Sequence, residues 1–177
     1  MTNNCKRYLI LNKKYEGKSS FATIYQIGKN FFGMKPGTRN RVIDYNISLS
    51  LNKKLDSGTS VKGLYFYTLV KKFEIKIPGG KIQEVKQTFS GVVERKGRHF
   101  RAVGSSYWKV GPPEGVSPNS EDMSEGYNVS QNFQFYLNKN GGITVKNYSE
   151  QGFIESEVKS INSTAPFSSI SKSFKLH

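Results

Sequence analysis

In the segment GVVERKGRHFRAV (91–103), Arg95, Lys96, Arg98 and Arg101 place four cations in seven residues, with Phe100 among them. Cations interleaved with aromatics are the composition of a nucleic-acid site: guanidinium and ammonium groups neutralise phosphates, and ring faces take stacked bases. Tyr107 and Trp108 extend the series, and Tyr65 and Tyr67 with Lys71 and Lys72 form a second one. A core draws on the same aromatics. At period two from Phe100 stand Ala102, Gly104 and Ser106, a face of small residues.

A membrane surface asks less of geometry. Paired cations beside apolar side chains suffice, at about 1 kcal/mol per cation close to anionic lipid. The doublets Lys6-Arg7, Lys13-Lys14, Lys53-Lys54 and Lys71-Lys72 meet that requirement, and Leu9, Ile10 and Leu11 are the candidate anchor. With Arg95, Lys96, Arg98 and Arg101 they make up the candidate electrostatic site, for membrane or nucleocapsid.

The titratable inventory argues against an enzyme. The two histidines are His99, in the basic segment, and His177. No His-x-x-x-His or Cys-x-x-Cys spacing offers a zinc site, and no Gly-rich loop ends in Gly-Lys-Ser/Thr to cradle a phosphate. A Cys5–His99 nucleophile pair has nothing but residue type behind it. Carboxylates cluster in one place, Glu114, Glu121, Asp122 and Glu125, inside a Pro/Gly-rich stretch that reads as a surface loop. The expectation is no catalytic residue, no cofactor and no small-molecule substrate.

Charge sharpens the choice of partner. Lys+Arg number 27 against 13 Asp+Glu, for a net charge of +14 over 177 residues. Residues 1–60 and 61–110 each carry +8, whereas 111–177 carry −2. A polyanionic partner is favoured, and the acidic loop is a candidate self-association element for the basic part of a second copy. The single thiol and the lack of a signal-peptide pattern point to a reducing compartment.

The elements that must position these residues are mostly strands. DYNISLSLN (44–52) alternates Tyr45, Ile47, Leu49 and Leu51 with polar residues, the pattern of a half-exposed strand. Further strands are expected at 20–28, 73–77, 81–95, 99–110, 132–138, 142–148, 149–158 and 167–176, with 95–98 as a hairpin tip and 139–142 as a turn. Residues 60–72 read as a helix, because Val61, Leu64, Tyr65, Thr68, Leu69 and Phe73 fall at spacings of three and four, the alternative being a strand, for which Tyr65, Phe66 and Tyr67 are strong formers. The fold class expected is α+β: a mostly antiparallel sheet with one or two packed helices, the alternative being an all-β jelly roll or barrel. Residues 1–20 are expected to form a basic, mobile segment, and 21–177 one domain with a surface loop at 111–126.

GFIESEV (152–158), INSTAP (161–166) and the closing SISKSF-K (169–175) resemble the last two strands of rhabdovirus matrix proteins, and NFQFYLNKNGGITVKNY (132–148) is similar in placement to that family's central hairpin. Length and charge agree with the smaller, plant-infecting, cytorhabdovirus-like type. The resemblance implies a virion structural protein that self-associates, condenses the nucleocapsid and bridges it to the anionic inner face of the envelope, in the host cytoplasm and beneath the envelope. No Pro-Pro-x-Tyr budding motif is present: Pro112-Pro113 is followed by Glu114-Gly115. The competing readings are a small jelly-roll capsid protein and a single-stranded nucleic-acid-binding protein of movement or silencing-suppressor type.

Overall fold

The computed structural model describes residues 13–27, 37–53, 64–76, 79–110, 124–158 and 161–177. Every regular element in them is a strand. These are β1 (Lys14–Ile27), β2 (Gly37–Asn52), β3 (Leu64–Lys76), β4 (Ile82–Lys96), β5 (His99–Val110), β6 (Ser124–Leu137), β7 (Ile143–Val158), β8 (Ile161–Ser171) and the short β9 (Phe174–Leu176). All neighbours pair antiparallel in the order β6-β5-β4-β3-β2-β1-β8-β7, and β6 pairs with β7 to close the ring. The protein is an eight-stranded antiparallel barrel, closed by the pairing of β6 with β7.

This overturns the α+β expectation. The segment read as a helix contributes β3, which pairs with β2 over Asn46–Asn52 and with β4 along its whole length. The inward positions of β3 are Tyr65, Tyr67, Leu69, Lys71 and Phe73. A lysine at the fourth of these broke the alternation of period two and left the spacing of three and four as the stronger pattern. Tyr65, Phe66, Tyr67 and Val70 are strand formers, and hydrogen-bonded partners on both sides decide the outcome.

β6 starts at Ser124, well before the strand expected at 132–138. β7 runs unbroken through the expected boundary at 148/149, and Asn147 within it adopts φ 53°. At that point the β6–β7 register shifts between Asn132 and Gln134. On the other flank, pairing passes from Tyr148–Ser171 to Val145–Phe174, so β8 and β9 behave as one interrupted strand. The carboxyl end is tied in by two backbone hydrogen bonds between His177 and Glu16, 3.0 and 2.8 Å.

One half of the barrel, toward the β4–β5 turn, is packed with apolar side chains. Leu49, Leu51, Leu69, Val93, Ala102, Phe133, Phe135, Ile143, Val145 and Leu176 are fully enclosed there. Space for the larger rings comes from small residues. Gly91 and Gly104 face each other across β4–β5, and Tyr67 lies over the pair. A Cβ at Gly91 would sit 2.8 Å from the Tyr67 ring and run into the Val103 carbonyl; one at Gly104 would strike the Tyr67 hydroxyl and the Ser90 backbone. The small-residue face Ala102, Gly104, Ser106 therefore lines the interior.

Gly91→Ala and Gly104→Ala are each expected to lower stability by about 1–3 kcal/mol through overpacking. Urea denaturation checks this, with Gly79→Ala, where nothing lies within 4 Å, as a control that registers only the cost of its positive φ.

Candidate polyanion-binding surface and the buried ion pair

The candidate cations divide into inside and outside. Lys71 is inside: it is 1% exposed and its ammonium bonds both carboxylate oxygens of Glu150, at 2.7 and 3.0 Å. It also lies over the rings of Tyr45 (4.1 Å to centroid) and Phe21 (4.3 Å). A desolvated ammonium is costly unless paired, and here a carboxylate and π faces replace the lost water. Lys71 is thus removed from the expected membrane- or nucleocapsid-binding set, because its β3 parity points it into the barrel.

The pair anchors a polar layer halfway along the interior. The Tyr67 hydroxyl donates to Gln131 Oε1 (2.7 Å), and Gln131 Nε2 donates to the Tyr148 hydroxyl (2.6 Å). Farther from the β4–β5 turn, the Thr23 and Ser169 hydroxyls meet at 3.1 Å, and Ser106 donates to the Thr88 carbonyl at 2.5 Å. Burial lowers the pKa of Lys71, and the charge of Glu150 and its hydrogen bond oppose that. Burial, then the Glu150 charge, raises the hydroxyl pKa values of Tyr45, Tyr67 and Tyr148 above the usual tyrosine range.

Outside, four residues form one rung around the wall. The register sets Lys18 opposite Asn46, Asn46 opposite Lys72, and Lys72 opposite Lys86, across β1, β2, β3 and β4. With Lys14, Glu16 and Ser48 they line an open groove of about 530 Å³. Lys72 pairs with Glu84 at 3.2 Å, both half-exposed, while Lys14, Lys18 and Lys86 have no ion-pair partner among the described residues.

A second cationic area covers the outer wall of β4–β7. One rung reads Lys96, His99, Tyr136, Thr144, the middle pair set by ring contact; the next reads Glu94, Arg101, Gln134, Lys146. The His99 and Tyr136 rings are 5.5 Å apart, and Lys146 lies over Tyr136 at 5.1 Å. Lys96 bonds Glu94 at 3.0 Å. Arg95, Lys96, Arg98 and Arg101 are all exposed at or beside the β4–β5 turn.

The other candidates are placed as follows. Lys13 reaches the Gly141 carbonyl (3.3 Å) and lies over Tyr15, while Lys14 and Lys53 are exposed. Phe100 and Tyr67 are buried, so neither can stack on a ligand, and Tyr65 packs against the core. Lys6, Arg7, Leu9, Ile10, Leu11, Lys54, Glu114, Glu121 and Asp122, and Cys5 of the rejected pair, lie outside the described residues; Glu125 falls in β6 opposite Val110. Among the described residues no three of His, Cys, Asp and Glu gather into a metal site.

Sequence reasoning passed over Lys18, Lys86, Tyr136, Lys146 and Glu150. The outward cations are single residues rather than doublets, and only strand register aligns them. For Glu150 a signal existed: an acid two residues after Tyr148, on an inward position.

No family model, no curated protein and no solved structure matches the chain.

Lys71→Met leaves Glu150 buried without a counter-charge and is expected to cost about 3–5 kcal/mol, whereas Lys71→Met/Glu150→Gln recovers most of that. A double-mutant cycle of urea midpoints measures the coupling. Alkaline pH supplies a second check. Unfolded tyrosines lose their protons near pH 10, while Tyr45, Tyr67 and Tyr148 keep theirs in the fold, so the folded state binds more protons and stability falls as pH rises. Lys71, with its lowered value, acts in the opposite sense only below about pH 10.4, where an unfolded lysine releases its proton. Above that the tyrosines decide, and three of them give a slope of up to about 4 kcal/mol per pH unit. Tyr45→Phe is expected to reduce that slope by about a third in urea titrations at stepped pH.

Proposed function

We propose that the protein is a non-catalytic docking protein for a phosphate-bearing polyanion, held by the cationic outer wall of the barrel. The observation that carries this is the rung Lys18–Asn46–Lys72–Lys86. Like charges directly opposite on neighbouring strands are destabilising. Lys72 and Lys86 stand in that relation; Glu84 pairs with Lys72, and Glu16 also lines the groove, against four lysines. Such an arrangement costs stability in the free protein and is relieved when an anion lies across it. The groove floor contributes Asn46 and Ser48, donors suited to phosphate oxygens.

This reading keeps the nucleocapsid-facing part of the matrix role expected from the resemblance. It does not keep that family's fold as inferred from the sequence, since the amphipathic helix is a barrel strand. The lipid-facing part rested largely on Lys6, Arg7 and Leu9–Leu11, which lie outside the described residues.

Two outcomes are expected. Lys86→Gln raises stability by about 0.2–1 kcal/mol by removing the cross-strand repulsion, yet weakens polyanion binding. Lys18→Glu/Lys72→Glu/Lys86→Glu lowers affinity for single-stranded RNA and makes the log-affinity against log-salt slope shallower by about 2, at about 0.7 per lost phosphate contact. Filter binding across a salt series reads the slope, and co-flotation with phosphatidylserine vesicles runs alongside. Absence of salt-dependent binding to both RNA and vesicles overturns the reading.

A further inference from the structure

We propose that the β4–β7 face of the outer wall is a stacking platform for single-stranded nucleic acid, with Tyr136 and His99 beneath the bases and Lys96, Arg98, Arg101 and Lys146 beside the phosphates. The proposal rests on the polyanion reading and narrows its partner to one class.

Four observations support it. First, two of the aromatics that sequence composition offered for stacking are spent: Phe100 and Tyr67 are 6% and 2% exposed. Tyr136 and His99 have the opposite parity, next to Phe135 and Phe100, and remain half-exposed on the outer wall. Second, they are adjacent on neighbouring strands, with ring centroids 5.5 Å apart and planes within 34°. Two rings so placed present a shared aromatic surface at the end of the barrel next to the β4–β5 turn, rather than one exposed side chain.

Third, the charges frame the rings. Lys96 lies on the β4 side of His99, and Arg101 and Lys146 fill the next rung on either side of Gln134; the Lys146 ammonium rests over the Tyr136 ring at 5.1 Å and moves to the phosphate when a base takes that face. Arg98 stands at the turn next to His99. Glu94 is the single carboxylate in these two rungs, and Lys96 already engages it at 3.0 Å. Fourth, the groups between the cations are amides, Gln134 and Asn147, the Thr144 hydroxyl being donated to Asn138 Oδ1 at 2.8 Å. The Asn147 amide donates to Gln134 Oε1 at 3.2 Å, leaving the Gln134 amide nitrogen to face a ligand. Amides bond base edges well.

The strand must be single. In a duplex the base faces are buried against one another, and a half-exposed ring on the barrel wall cannot reach them. An unpaired base has a free face, and stacking serves any base because every base has one. The platform therefore binds with little sequence preference.

The test compares three probes on the wild-type full chain: a labelled oligouridylate, an abasic phosphodiester strand of the same length, and phosphatidylserine vesicles. The abasic strand is expected to bind about 5- to 150-fold more weakly for each base stacked. Tyr136→Ala is expected to lose a similar factor on oligouridylate and nothing on the abasic strand, while Tyr136→Phe, which keeps the ring, binds as wild type. The abasic comparison needs no variant, so a poorly folding Tyr136→Ala does not spoil it. Equal affinity for both strands overturns the platform and leaves the polyanion reading standing. Binding to vesicles without binding to oligouridylate overturns the platform in favour of a lipid surface. Binding to none of the three overturns both readings.

Discussion

The buried contact between Lys71 and Glu150 is the constraint around which the barrel is organised. It joins β3 to β7, strands far apart around the ring, through the interior. Each charge alone would be intolerable there, so the two are acceptable only when both strands hold their register. A slip of one residue on either strand would move one charge to the outside and leave the other buried and unpaired. The aromatic rings at the pair serve two purposes. They supply the bulk that fills the barrel, and their π faces take the ammonium from the directions the carboxylate leaves open.

Filling the interior around that pair requires a division of sizes. Large rings from β1, β2, β3, β6 and β7 need space, and β4 and β5, which also bury Phe89 and Phe100, provide it with Gly91, Ala102, Gly104 and Ser106. β7 has to present Val145 and Tyr148 on the same side although they are three residues apart. The positive φ of Asn147 and the register shift opposite it make that change of parity. The interruption between β8 and β9 accommodates the same shift on the other side, and it allows Leu176 to close the packed half of the barrel.

With the interior occupied by its own side chains through the described section, the outer wall carries the surface chemistry. The wall is uneven. Lysines line up across β1–β4, and aromatic and cationic residues gather across β4–β7, while the exposed apolar residues Val42 on β2 and Ile170 on β8 flank Ala22 of β1. Barrel closure produces this separation, because each strand sends alternate residues outward and the register sorts them into rungs.

Much of this was legible in the sequence. The alternation of Tyr45, Ile47, Leu49 and Leu51 identified β2 and its inner face, and the RKGR tip marked the β4–β5 turn. These features depend on neighbours within one strand or turn, and composition alone expresses them. Lys71 shows where that legibility ends. Beside Lys72 it has the form of a surface doublet, and only Glu150, far along the chain, makes an interior lysine admissible and turns a helical pattern into a strand. The rung of Lys18, Lys72 and Lys86 and the contact of His99 with Tyr136 likewise join residues from different strands. Their meeting is set by strand register and ring closure, which depend on the balance of pairing and packing across the whole barrel and leave no trace in local spacing.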